Sequence, residues 1–429
     1  VVAAEIPPVT RLALVPSEPI RAAMAGIGIR YLELARRLPR PGLEVVLLTA
    51  GDPADVPELP PGATVRAFER GRLGELLADC DAVLSQGQLA NDVALEVPEL
   101  PLAIDLYDPW LVENLAYVDS LGLDPYRNDH ATWVLQLSRG DFFLCSCDEQ
   151  RLYYLGWLSA LGRVHPHNLA RDADLERLIA VVPFGVPERL PPPQPLLPPP
   201  QPGEKRLLFG GLYDWYDPWP VLEALAGRRE RRWTLLLIRN PNPGTTPQKR
   251  LAEVEAWCRR RGLWQTRVQV LDWVPAARRY DLLREVDVLV TTHRPSLETR
   301  LSLRTRFLDA LAAGCPVIAT DGGAMSRLLR EHGAGWVVPA GDAAAVAAAL
   351  DEALGDDAKA AARRAAAHDL LADFAWPRVL EPLLAFARRP WRDAGKEDFV
   401  HRPQTTAPAD SLAFRLRRLA RRLLPAARG

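Results

Sequence analysis

Arginine gathers where a helix should begin. In the stretch from Ser296 to Gly323, SLETRLSLRTRFLDALAAGCPVIATDGG, Arg300, Arg304 and Arg306 flank the start of an apolar-periodic run, and Asp309 follows one turn further in. A helix N-terminus carries partial positive charge and favours anions. Three cations there point to a negative partner rather than to stability. Guanidinium groups bind phosphate oxygens in a forked geometry, so a pyrophosphate answers the pattern, and a carboxylate beyond it can accept hydrogen bonds from both ribose hydroxyls. On a continuous helix Arg300 and Arg304 share a face, as do Thr305 and Asp309, each pair being four residues apart. Ser302 stands where it can cap that helix. The competing reading is a solvated helix with Arg–Asp pairs.

Other residues gather around the same chemistry. The run DVLVTTHRPSLE reads as a strand entering a loop, which leaves His293, Glu298 and Thr299 near its carboxyl end. The run CPVIAT is another strand, and Gly322 and Gly323 at its end form a loop that lets a ligand approach the backbone. In FGGLYDWYDP, Gly210 and Gly211 end a strand, and Tyr213, Asp214 and Trp215 follow. That is either a turn whose aromatics cover the sheet end or, as the paired glycines favour, a glycine turn at a phosphate with aromatic and carboxylate groups for a sugar or base. In AMAGIGIR, Gly26 and Gly28 lie between a strand and a helix, where they serve either tight packing or an anion at the helix start. In IDLYD, Asp105 and Asp108 sit at a strand end and either orient a hydroxyl or cap the turn.

The elements that hold these residues alternate. TRLALVP, LEVVLLT, ATVRAF, DAVLSQ, LPLAIDL, DFFLCS and LIAVVPF read as strands, with helical stretches between most of them. KRLLFGG, WTLLLIR, RVQVLDW, DVLVTT, CPVIAT and AGWVVP repeat the pattern. Continuous Val/Ile/Leu strands between amphipathic helices imply parallel sheets covered on both faces. Nine of the sixteen residues from Pro187 to Pro202 are proline, which excludes helix and interior strand. The chain of 429 residues therefore divides into two Rossmann-like, doubly wound α/β domains facing a cleft. Residues 1–186 form the first domain, 187–203 a linker, 204–372 the second domain, 373–392 a helix crossing back, and 393–429 a linker with a basic amphipathic helix.

Composition excludes several classes. The formal net charge of −1 is wrong for a general polyanion binder, so no nucleic-acid partner is expected. No apolar run reaches the ~18 residues of a spanning helix. The first residues lack the basic and apolar regions of a signal peptide. The five cysteines are scattered, and Cys145 and Cys147 lie in an apolar strand end, which fits small buried residues in a reducing cytoplasm.

Taken together, ETRLSLRTRFLDALAAGCPVIATDGG, FGGLYDWYDP, IDLYDPWLVENL, DFFLCSCDEQRLYYLGWLSALGR and VVPFGVP resemble bacterial GT-B fold glycosyltransferases of family 4, from about Arg11 to Arg389. The resemblance implies a retaining enzyme that moves a sugar from a nucleotide-sugar to a glycan or lipid-linked acceptor in surface polysaccharide synthesis. It places the acceptor in the first domain and the donor in the second. It puts Asp309 at the place of the glutamate that binds ribose. Leu301 occupies the place of the other motif glutamate, so Glu298 is assigned beside the donor sugar. The usual Arg and Lys after the first strand of the second domain are absent, and Arg304 and Arg306 are assigned to the diphosphate. The expected catalytic set is Glu298, Arg304, Asp105 and Asp108. No metal or other cofactor is expected, since no D-x-D motif stands near the donor loops.

The segment from His401 to Gly429 carries seven Arg and one Asp. Leu412, Leu416, Leu419, Leu423 and Leu424 gather on one side of a helical wheel and the arginines on the other. Residues 411–425 thus suit either an anionic membrane surface, with the protein peripheral on its cytoplasmic face, or the protein's own surface. Two alternatives to transfer stand: a non-catalytic GT-B scaffold that binds nucleotide or glycan, kept open by Leu301, and an NAD-type oxidoreductase, disfavoured by the lack of G-x-G-x-x-G.

Overall fold

The computed structural model describes residues 9–239, 249–393 and 395–400. Every strand-like run forms a strand. The first sheet contains β1 (Thr10–Val15), β2 (Leu43–Thr49), β3 (Ala63–Ala67), β4 (Ala82–Ser85), β5 (Leu102–Asp105), β6 (Phe142–Cys145) and β7 (Ile179–Val181). The second contains β8 (Lys205–Gly211), β9 (Trp233–Ile238), β10 (Val268–Leu271), β11 (Val288–Thr291), β12 (Val317–Thr320) and β13 (Trp336–Val338). Their orders are β3-β2-β1-β4-β5-β6-β7 and β10-β9-β8-β11-β12-β13. All neighbours are parallel, with Leu12 level with Val45 and Ala82, and Leu289 level with Val317.

The inner strands β4, β5, β6, β11 and β12 are buried at every residue because helices cover both faces. A side chain such as Leu14, with no exposed surface, gives roughly 2–3 kcal/mol on burial. In each sheet the strand order reverses beside the first strand, between β1 and β4 and between β8 and β11. A doubly wound sheet leaves a crevice at that point, beyond the carboxyl ends of its strands.

The crossing back is seen in the packing. Helices Trp376–Val379 and Glu381–Arg388 put Trp376, Leu383 and Phe386 into the same core as Leu12 and Leu14. The Phe386 ring stacks on Phe142, 5.3 Å between centroids. The outgoing and returning chains are bonded to each other: Val186 N–H donates to Phe374 O at 2.7 Å, and Trp376 N–H to Val186 O at 3.2 Å.

The proline-rich stretch is docked along the second domain. Its free backbone donors at Leu196 and Leu197 meet the two Glu285 carboxylate oxygens, both at 2.6 Å, and Gln194 N–H meets Asp281 at 3.0 Å. Residues just past 392 are pinned by buried ion pairs. Asp393 is buried against Arg163 at 2.7 Å and His165 at 3.0 Å, and Lys396 reaches Asp141 at 2.8 Å. The basic segment 411–425 lies outside the described residues.

Candidate functional site

The arginine-bearing stretch is two helices, not one. Leu297–Leu301 is capped by Ser296, whose hydroxyl accepts from Thr299 N–H, and Thr305–Ala312 begins after an extended break. Ser302 closes the first helix and does not cap the second. Its hydroxyl donates to Glu298 Oε1 at 2.8 Å. The break separates Arg300 from Arg304, so they share no face. Arg300 is exposed, while Arg304 turns inward with its side chain 9% exposed.

Arg304 and Arg306 lie over one ring. Their guanidinium carbons stand 5.3 and 4.9 Å from the centre of Tyr216, which is itself buried. Arg304 Nη2 is 2.7 Å from Glu298 Oε2. Burial works against the Arg304 charge, and the Glu298 carboxylate more than offsets it. Arg306 forms no ion pair with a described carboxylate; its Nη1 donates to Phe209 O at 3.1 Å and Gly211 O at 3.2 Å. Gly210 makes this possible: its φ of +86° turns the carbonyls toward Arg306, and a Cβ there would lie 2.9 Å from Nη1. Tyr213 stacks on Trp215 at 4.9 Å.

These groups form one wall of an interdomain cavity of about 400 Å³. Ser302, Arg304, Thr305, Arg306, Tyr213 and Trp215 line the second-domain side. Gly26, Tyr107, Asp108, Glu113, Tyr117 and Asp129 are among those on the first-domain side. Asp108 Oδ1 is buried without a hydrogen-bond partner. Burial, with Asp105 nearby, pushes the Asp108 carboxyl up to about 7. Burial and the carboxylates of Asp108 and Glu298 hold Glu113 well above the usual range. Gly26 is needed for space, since a Cβ would meet the Tyr107 hydroxyl at 2.7 Å.

A second cavity of about 160 Å³ adjoins the first, sharing Tyr213 and Arg306. Gly210, Gly211, Arg279 and Asp309 line it among apolar side chains. Asp309 Oδ2 lies 3.3 Å from Arg279 Nε, and Oδ1 is buried without a partner. Burial raises the Asp309 carboxyl despite Arg279.

Several expected site residues are engaged elsewhere. Asp105 is fully buried in a two-point ion pair with Arg30 at 2.7 and 3.1 Å, so it braces the sheet end and offers no oxygen to a ligand. Asp214 accepts from Arg250 N–H at 2.9 Å, at the start of helix Lys249–Arg259. Glu298 lies behind the cavity wall, bound to Arg304 and Ser302. Thr299 Oγ1 donates to Arg294 O at 2.9 Å, and its carbonyl oxygen is where a Cβ on Gly323 would collide. The N–H groups of Gly322 and Gly323 already donate to Ser326 Oγ, both at 3.1 Å, and neither glycine lines the two cavities. Gly28 N–H is likewise taken, by Glu18 at 2.8 Å. His293 supports Tyr216 from behind, 4.6 Å between rings, and burial with Arg304 and Arg306 nearby keeps it neutral.

Glu113, Tyr117, Asp129 and Arg279 escaped the sequence reading. Glu113 lies in the IDLYDPWLVENL run, five residues beyond Asp108 on the short helix Trp110–Glu113. A carboxylate so soon after a strand end is the signal that was available.

Residues 207–356 match the family described as Glycosyl transferases group 1. A stretch of 78 residues is 37% identical to phosphatidyl-myo-inositol mannosyltransferase of Mycobacterium leprae (strain TN), covering 18% of this chain and 21% of that protein. In architecture the chain is similar to a sucrose-phosphate synthase from Thermosynechococcus elongatus, with TM-score 0.64 and 16% identity over 89% of this chain and 98% of that one. It is also similar to Anabaena HepE in complex with UDP-glucose, with TM-score 0.59 and 16% identity over 87% and 98%. At such identities these likenesses establish the fold. The chain thus has a GT-B architecture, and residues 207–356 of its second half match the group 1 glycosyl transferase family.

Proposed function

We propose that the protein transfers a sugar from a nucleotide-sugar donor to a glycan or lipid-linked acceptor, with retention of configuration, in bacterial surface polysaccharide synthesis. The observation that carries this reading is the placement of Arg304 and Arg306 together over Tyr216, facing the first domain across the cavity. Departure of a nucleoside diphosphate concentrates negative charge, and fixed cations in a water-poor cleft stabilise it without reorganising. Arg306, free of a carboxylate partner among the described residues, takes the larger share, and Arg304 is held in position by Glu298. Asp309 in the adjoining slot accepts from the ribose hydroxyls, and Asp108 accepts from the attacking acceptor hydroxyl. Retention follows when that hydroxyl arrives on the face the diphosphate leaves. The two guanidinium groups fill the role of a cation, so donor use is metal-independent in this reading.

Calorimetry with UDP, GDP, ADP and CDP tests it. At least one binds, and Arg306→Gln weakens that nucleotide about 10- to 100-fold, a loss of ~1.4–2.8 kcal/mol, while affinity for the parent nucleoside is unchanged. Equal diphosphate affinity in the variant overturns the assignment. The engagement of Glu298 by Arg304 and Ser302 favours one other reading, a sugar-nucleotide-binding scaffold without turnover; sugar release or transfer by the purified protein excludes it.

Among the described residues no helix is long and apolar enough to cross a membrane. Peripheral attachment to an anionic cytoplasmic surface is assigned to the basic segment 411–425. Deleting residues 401–429 is expected to abolish sedimentation with phosphatidylglycerol vesicles while nucleotide binding persists; undiminished sedimentation refutes the assignment.

A further inference from the structure

Outside the interdomain cleft the first domain carries an open groove of about 500 Å³, larger than the cavity between the lobes. Helices Gly87–Glu96 and Leu123–Arg139 supply two of its walls, and residues 392–400 supply the third. Leu95, Leu100, Leu102, Val134, Leu135 and Val400 make its apolar surface. Leu95 is 63% exposed, and a contiguous apolar surface of this kind marks a place where something docks. The third wall is fastened in place. Arg392 donates to Pro98 O at 3.0 Å, and Lys396 Nζ donates to Arg139 O at 2.9 Å and to Asp141 at 2.8 Å. Arg139 Nη1 donates to Asn91 O at 3.3 Å. These three cations serve the chain's own oxygens, so the groove offers an apolar surface rather than a seat for an anionic headgroup.

The sequence supplies an occupant. Val400, the last described residue, lies in the groove wall, and residues 401–429 follow it. Leu412, Leu416, Leu419 and Leu423 recur at spacings of four, three and four, the stripe of one helix face, with the arginines on the other side. The tether 401–410 reaches at most ~35 Å when extended. A tether that short holds the leucines near the groove at an effective concentration of roughly millimolar. We propose that the leucine face of residues 411–425 seats in this groove when no membrane is present, so that groove and bilayer compete for one face. The contact itself is independent of the glycosyl-transfer reading; its release by lipid rests on the membrane assignment. Seating hides an apolar stripe that would otherwise drive self-association, while the arginines stay in water. Lipid must then outbid the groove. Only an anionic surface does so, because only there do the arginines add their attraction to that of the leucines.

The test uses the full-length protein without lipid. Arg421→Cys, on the polar side of the segment, carries a nitroxide; the native cysteines are buried and shielded from the reagent. Transverse relaxation of the Leu95, Leu100 and Leu135 methyls is expected to be at least twice as fast as in the reduced, diamagnetic control. Mixing spin-labelled chain at natural isotope abundance with unlabelled, isotope-enriched chain is expected to produce no enhancement. Leu95→Gln combined with Leu135→Gln keeps helix-forming, uncharged residues and should leave the circular dichroism spectrum unchanged. It removes the enhancement at Leu100 and tightens binding to phosphatidylglycerol vesicles at least threefold. If that pair fails to fold, Leu95→Gln alone at least halves the enhancement. The proposal is overturned if the wild-type groove methyls show no enhancement, if enhancement survives in the variant, or if vesicle affinity does not change. Enhancement in the mixed sample overturns it as well, since the groove then holds the segment of a second copy. A full-length protein that binds no vesicles refutes the membrane assignment instead, and the relaxation results then decide the groove contact by themselves.

Discussion

Asp105 and Asp108 stand three residues apart at one strand end and have different fates. Asp105 is neutralised by Arg30, whereas Asp108 faces the cavity with one oxygen unpartnered. The difference comes from Arg30, 75 residues away, so nothing local in IDLYD distinguishes the two. Asp108 has a measurable signature. A carboxyl whose folded value is raised to about 7 binds more protons when folded than when unfolded between about pH 4 and 7, so stability falls as pH rises through that window. Asp108→Asn removes this penalty. It should leave the unfolding free energy near wild type at pH 4 and raise it by roughly 3–4 kcal/mol at pH 8, as read by denaturant titration. An equal difference at both pH values contradicts the burial argument. Arg306 was legible as a cation out of place at a helix start. The partner of Asp214, Arg250 N–H, lies 36 residues on, beyond the reach of local sequence reading.

At the scale of elements, the strands were legible and the helix break was not. Continuous apolar runs flanked by turns leave little choice where both sheet faces are covered. No Gly or Pro marks the break at Ser302–Arg304, and the apolar periodicity of the second helix extends back plausibly across it. The available sign is Leu301 and Leu303, apolar and two apart, both buried, which is the spacing of extended chain rather than helix. The break turns Arg304 and Arg306 over Tyr216 and leaves Arg300 outside, and the proposed function rests on that placement. The β8 turn is its counterpart. Gly210→Ala imposes a positive φ on a side chain that also presses Arg306. It should cost about 1–2 kcal/mol of stability and weaken nucleoside diphosphate binding several-fold. Unchanged binding would show that Arg306 does not depend on that turn.

At the scale of the whole molecule, sequence periodicity gave two lobes and a proline-rich divider, but it did not show to which lobe the divider is fastened. Proline lacks N–H, and three of the donors left between the prolines, at Gln194, Leu196 and Leu197, are taken by Asp281 and Glu285. The divider therefore travels with the second lobe, and the chain changes lobes at Val186, where the returning segment lies hydrogen-bonded alongside. Trp376 through Phe386, carried by the C-terminal portion of the chain, fill the core of the first lobe. A protease site inserted after Pro200 and fully cut should yield two fragments that elute together in gel filtration and separate only in denaturant. Separation in native buffer would disprove the interlocked core. Peptide continuity at the divider is dispensable for cohesion: the lobes are held as a clasp holds, by the tail of one seated inside the other.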